Sequence, residues 1–215
     1  MQSAEDTTIY ADSLLLVLDK EAGLLCVPGR GAGKADCLSA RVQQRFPDAL
    51  VVHRLDMATS GLVVMARGAA MQRALSMMFA NRQVAKGYVA VVAGLPAVAG
   101  EDWQCIDLPI AADWPNRPRR IVDHAHGKPS VTRWRVLARD AVSGTARIEL
   151  EPHTGRTHQL RVHLAAIGHA IVGDPLYAST AIAALSPRLL LHATRLEFAH
   201  PLTGARLQLH SPVPF

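Results

Sequence analysis

Short apolar runs separated by turn-forming residues dominate the chain. Stretches rich in Val, Ile and Leu recur at 13–18, 24–27, 60–66, 84–93, 130–137, 145–151, 189–192 and 205–210. Bounded by Gly, Pro, Asp or Asn, they predict strands. Helical spacing is confined to about 36–46, about 68–82 and about 157–167, the second segment placing Met71, Leu75, Met78 and Phe79 on one face. Strands outnumber helices without regular strand–helix alternation. The predicted fold class is therefore α+β, a mostly antiparallel or mixed, curved β-sheet with flanking helices. Residues 1–12 read as a flexible N-terminus and 13–215 as one domain, with no internal repeat or low-complexity tract.

Composition agrees with a folded domain: of 215 residues, 49% are hydrophobic and 19% charged. The 23 Lys and Arg against 18 Asp and Glu leave a formal charge of +5, which permits a polyanionic partner without requiring one. Cys26, Cys37 and Cys105 form no Cys-x-x-Cys pair and no disulfide framework, and point to a reducing cytoplasm. The apolar run Leu14–Leu18 follows acidic Glu5, Asp6 and Asp12 rather than a basic segment, so no signal peptide is expected. No run reaches the roughly 18 apolar residues of a membrane span, and a soluble protein is expected.

Chemistry concentrates in two clusters. In Val51-Val52-His53-Arg54-Leu55-Asp56-Met57-Ala58-Thr59-Ser60-Gly61, a strand end delivers charge, a Thr-Ser-Gly turn follows, and an apolar strand resumes. Asp56 is thereby expected on a loop held between two core strands. A reactive carboxylate must stay ionised when partly buried, which calls for a cation or several donors beside it, and arginine suits that role. The second cluster is His153-Thr154-Gly155-Arg156-Thr157-His158-Gln159-Leu160-Arg161-Val162-His163-Leu164. Here Thr157 is the expected N-cap, Leu160, Leu164 and Ile167 the apolar stripe, and Gly168 the stop. Arg156, His158, Gln159 and Arg161 then gather near a helix N-terminus able to hold an anion or orient a carboxylate. The same residues also read as the polar outer face of a capped amphipathic helix. His158 and His163 miss the i, i+4 spacing of a helical metal pair, so no metal is expected.

Together the two clusters resemble the RluA family of RNA pseudouridine synthases, with its His-Arg-Leu-Asp loop and its Gly-Arg-Thr-His-Gln-Leu-Arg motif. A third family element, Lys-x-Tyr on a strand, matches Lys86-Gly87-Tyr88. Val27-Pro28-Gly29-Arg30, Asp113-Trp114-Pro115-Asn116-Arg117-Pro118 and Arg188-Leu189-Leu190-Leu191-His192-Ala193 are similar to the short, dual-specificity members. No N-terminal S4-type RNA-binding domain is expected. The departures are His153, where an aliphatic residue is usual, and the small Gly87.

The resemblance implies a cofactor-independent enzyme that acts by base flipping on structured RNA, namely a 23S ribosomal RNA hairpin loop and the tRNA anticodon stem-loop. It implies a cytoplasmic monomer without an obligate protein partner. Asp56 becomes the catalytic carboxylate, Arg156 the cation that keeps it ionised, and Tyr88 a catalytic ring that stacks on uracil, with the removal of the C5 proton as its alternative role. Arg54 would fill the space left by the flipped base; Leu160 is also expected at the substrate, and His53 either there or as a structural support of the loop. Arg117, Arg119, Arg120 and Lys128 are the expected phosphate contacts. Whether Asp56 attacks the sugar or deprotonates it stays open. A non-catalytic RNA-binding module, a metal-dependent hydrolase and a DNA-binding regulator are the competing readings.

Overall fold

The computed structural model describes residues 7–29, 35–97 and 102–215; Glu5, Asp6 and Arg30 lie outside them. The chain divides into two compact units, one ending at Lys86 and taking up Ala193–Pro214, the other spanning Gly87–His192 with Phe215.

The first unit is built on antiparallel strands. β1 (Thr8–Ala11) pairs with β2 (Leu15–Lys20), and β2 pairs with β4 (Ser60–Arg67). β3 (Ala49–Val51) also pairs with β4. β11 (Leu191–Ala199) neighbours β4, and β12 (Arg206–His210) pairs with β11. Residues 8–11, read from sequence as part of a flexible lead, are thus a paired strand. Both β2 and β4 are apolar without alternation because both of their faces are buried. One face packs Leu15, Val17, Leu62, Val64 and Ala66 against Met71 and Leu75 of α2 (Ala69–Ala80). The expected stripe holds, since Met78 and Phe79 pack on the same cluster. The short α1 (Leu38–Gln43) buries Leu38 and Val42. Segment 24–27 is a loop rather than the expected strand.

Gly61, the second residue of β4, has φ +110°, and a Cβ there would lie 2.3 Å from the Ala193 carbonyl oxygen. Only glycine fits, because both the conformation and the approach of the β11 backbone exclude a side chain. Gly61→Ala is expected to cost about 2–4 kcal/mol of unfolding free energy, measured by urea titration, combining left-handed strain with overpacking.

The second unit runs β5 (Ala85–Ala93), β10 (Thr145–Pro152), β9 (Val131–Asp140) and β6 (Gln104–Asp107) in antiparallel order. Here one face is buried, by Thr132, Trp134 and Val136 of β9 and Ala146, Ile148 and Leu150 of β10. The other carries the cross-strand pairs Arg135–Glu149 and Arg133–Glu151, with both arginines over the Trp103 ring. β7 (Ile110–Ala112) and β8 (Arg120–Val122) form a separate two-stranded ribbon whose connection is the Pro- and Arg-rich segment 113–119. α3 (Gln159–Ala166) and the single turn α4 (Thr180–Ala183) complete the unit. The α+β class expected from the strand count is the class observed. No helix among the described residues is long and apolar enough to cross a membrane.

Candidate active site

In the first unit, the loop between β3 and β4 carries His53, Arg54 and Asp56. Its main chain is pinned from below. The Leu55 side chain is buried, while its N–H donates to Cys26 Sγ (3.3 Å) and its carbonyl accepts from the same thiol (3.4 Å). Burial pushes the Cys26 thiol up and Asp56 adds to the shift, against the Leu55 hydrogen bond and the charges of Lys20 and Arg54. The sulfur therefore stays a neutral S–H able to donate. Two residues further, the Met57 carbonyl accepts from Gly23 N–H (2.8 Å) and from Lys20 Nζ (3.1 Å). Lys20 is only 1% exposed, and its ammonium also donates to the Leu24 and Glu21 carbonyls at 2.8 Å each. The Thr59 N–H closes the turn on the Asp56 carbonyl at 3.1 Å. These bonds leave Arg54 exposed and Asp56 half-buried on a fixed backbone.

His53, expected at the substrate or as a support of its own loop, is bonded into the fold. Its Nε2 accepts the Val64 N–H at 3.0 Å, which places the proton on Nδ1, and its ring stacks on Phe79 with centroids 4.2 Å apart. Burial, followed by the charge of Lys86, pulls its pKa from 6.5 to about 3. Between those values the unfolded chain binds a proton that the folded chain refuses, so stability rises with pH. The contribution is complete above about pH 6.5 and is lost as pH falls toward 3. In urea titrations, His53→Gln should reduce the stability lost between pH 7 and pH 5 by about 1–2 kcal/mol; an unchanged loss would contradict this role.

In the second unit, Tyr88 stands half-buried on β5, opposite Leu150 of β10. Arg156 is exposed just ahead of α3, with its N–H on Gln159 Oε1 (3.0 Å) and its Nε on the Pro129 carbonyl (3.3 Å). The expected Thr157 cap is not made. The helix is entered through His158 in the left-handed conformation, without a side-chain cap, and Gly168 at φ +85° ends it as expected. Gln159 and Arg161 are buried and present no open anion site; the carboxylate that Arg161 orients is one of the protein's own. Gln159 accepts from Thr154 Oγ1 (2.7 Å) and donates to the Val131 carbonyl and Thr132 Oγ1, each at 3.0 Å. Thr132 Oγ1 lies 2.9 Å from His163 Nδ1, while His163 Nε2 meets the Leu108 carbonyl at 2.9 Å. Burial lowers the His163 pKa, which keeps its ring neutral and fixes the donor order from Gln159 through Thr132 to His163 to Leu108. Arg161 forms a buried bidentate pair with Asp174 (2.7 and 2.6 Å).

A cleft of about 740 Å³ opens beside this helix, with Ile110, Trp114, Arg120, Lys128 and Arg156 among its walls. Three cations thus share one wall system. Arg120 Nε is buried and has no hydrogen-bond partner among the described residues. Arg117 lies over the exposed Trp114 ring at 3.5 Å. Arg119, expected as a phosphate contact, is exposed and donates its Nε to the Leu176 carbonyl at 2.8 Å and its Nη2 to the same oxygen. Leu160 is buried in the unit at 7% exposure rather than open to solvent.

Sequence reasoning missed Lys20, Cys26, Asp174 and Tyr177 as supports. One signal was available: Gln159–Ala166 contains a single charged residue, too few for a solvated face. Among the described residues no group of three or more His, Cys, Asp or Glu could hold a metal ion.

Comparison with known proteins adds independent findings. Residues 14–166 match the family described as RNA pseudouridylate synthase. The chain is 45% identical over 207 residues to the dual-specificity RNA pseudouridine synthase RluA of Escherichia coli, covering 96% of this chain and 93% of that protein. It is 42% identical over the same length to the protein of that name from Haemophilus influenzae, with equal coverage. Among solved structures, human RNA pseudouridylate synthase domain containing 1 aligns at a TM-score of 0.83 and 28% identity, over 100% of this chain and 86% of that one.

Proposed function

Because the chain belongs to the RNA pseudouridylate synthase family and is an RNA-modifying isomerase, we propose that it acts on a hairpin loop of 23S ribosomal RNA and on the anticodon stem-loop of tRNAs. The bacterial relatives at 42–45% identity that carry the dual-specificity name support this substrate pair. The observation that carries the site assignment is the pinned loop, in which Cys26 and Lys20 fix the backbone on either side of Asp56.

Asp56 acts on the ribose carbon. The N1–C1′ bond breaks, the uracil turns, and C5 bonds to C1′; C5 then releases a proton and N1 gains one. Product and substrate have the same composition, so no oxidant, reductant or group donor is required. Arg54, exposed beside Asp56, fills the stack that the flipped uridine vacates. Tyr88 stacks on the uracil, and Arg156 supplies positive charge to the reaction. Arg120 and Lys128 in the cleft, with Arg117 on the ribbon turn, contact phosphates. His53 and Arg119 also make contacts that support the fold. The protein works in the cytoplasm as a monomer.

Mapping pseudouridines in RNA from cells with and without the gene tests the substrate pair. Loss of one site in 23S ribosomal RNA and of one in tRNA is expected; loss in a single RNA class would remove dual specificity, and no loss would remove the assignment.

A further inference from the structure

The ribbon β7–β8 is too small to be rigid by itself, since an isolated two-stranded hairpin is marginal in water. It nevertheless bears Arg120 and frames the cationic cleft. β7 is held by the backbone pair of Ile110 with Lys128, and the ribbon turn by Arg119 on the Leu176 carbonyl; the tie at β8 itself is Tyr177. The Tyr177 hydroxyl accepts the main-chain N–H of Arg120 on β8 at 2.8 Å and lies 2.7 Å from His158 Nδ1 at the start of α3. Arg120 N–H can only donate, so the phenol proton or the imidazole proton completes the second bond. The Tyr177 ring is flanked by the Arg161 guanidinium at 5.1 Å, the Arg119 guanidinium at 5.9 Å and the edge-on His158 ring at 5.6 Å. Its backbone is held as firmly: Asp174 Oδ1 accepts the N–H groups of Leu176 (2.8 Å) and Tyr177 (3.2 Å) while paired with Arg161.

We propose that Tyr177 is a positioning residue for RNA, a latch whose hydroxyl holds β8 and its cleft cations at a fixed distance from the Arg156 end of α3. The proposal rests on the functional reading above. Its physical basis is preorganisation. A latched ribbon presents Arg120 and Lys128 already ordered, whereas a loose ribbon must be ordered when RNA binds, at the expense of affinity. The hydroxyl touches no reacting atom in this scheme, so its loss alters binding and leaves the chemical step intact.

Tyr177→Phe removes the hydroxyl and retains the ring between its arginines. In the free protein, exchange of the Arg120 amide hydrogen is expected to accelerate at least about tenfold, with the β9–β10 amides unchanged as the control for folding. With a tRNA anticodon stem-loop transcript, KM is expected to rise about tenfold and kcat to stay within about threefold. An unchanged Arg120 amide overturns the latch. Faster exchange with unchanged KM and Kd overturns its role in RNA binding. Failure of the functional reading is seen separately, as wild-type protein that forms no pseudouridine; the latch is then decided by amide exchange and by the Kd for the same transcript.

Discussion

Asp174→Ala should lower the unfolding free energy by about 3–5 kcal/mol, the largest stability loss expected of any single substitution described above. Arg161 and Asp174 are 4% and 0% exposed, and the variant strips a buried guanidinium of its counter-charge while depriving the Leu176 and Tyr177 amides of their acceptor. Against a total of about 5–15 kcal/mol, that is a large fraction. For a chain of this size it corresponds to a fall in Tm of about 6–20 °C, readable in a thermal melt. The double variant Arg161→Met, Asp174→Leu should recover part of the loss, because exchanging both charges for apolar groups removes the uncompensated ion. A single variant within about 1 kcal/mol of wild type would show that the pair is not a structural keystone.

The parts of this molecule that were legible in sequence are those whose signal is local. Leu15–Leu18 and Leu62–Ala66 are continuous apolar runs because both faces of those strands are buried, and their shortness and flanking turn residues mark them as strands rather than buried helix. In contrast, Gln104–Asp107 and Arg120–Val122 are short and partly polar, and they become strands through pairing with β9 and β7. β11 extends to Ala199, beyond the expected 189–192, because Arg195 and Glu197 alternate with buried Leu196 and Phe198 and pair with each other at 2.9 Å.

The site divides the same way. Asp56, Arg54, Tyr88 and Arg156, the residues proposed for the reaction, stand out in sequence because they sit in contiguous motifs. Their supports do not. Lys20 ends an apolar strand and looks like a solvent-facing charge, yet its acceptors are carbonyls of Glu21, Leu24 and Met57 that only the folded loop brings together. Gln159 and Arg161 look like a polar outer face, and their partners Thr132 and Asp174 come from other segments of the chain. Gly173-Asp174-Pro175 reads as an ordinary turn, and nothing local marks its aspartate as the counter-ion of a helix.

The second large effect concerns the reaction itself. Asp56→Asn keeps the size of the side chain, and the loop bonds to Cys26, Gly23 and Lys20 involve the neighbouring backbone of Leu55 and Met57, so the fold and RNA binding should persist. An amide can neither attack C1′ as an anion nor take a proton from the sugar, and so both chemical roles open to Asp56 are lost together. Removing a group of this kind lowers rates by about 10⁴-fold or more. The most direct measurement is a single-turnover assay on a tRNA anticodon stem-loop carrying tritium at uridine C5, since forming the C5–C1′ bond sends that hydrogen to water. Wild-type protein should release the label from one uridine per RNA, and Asp56→Asn should bind the RNA within a few-fold of wild type yet release label at least about 10⁴-fold more slowly. Release by Asp56→Asn at a rate near that of wild type would contradict the assignment of Asp56 as the catalytic carboxylate.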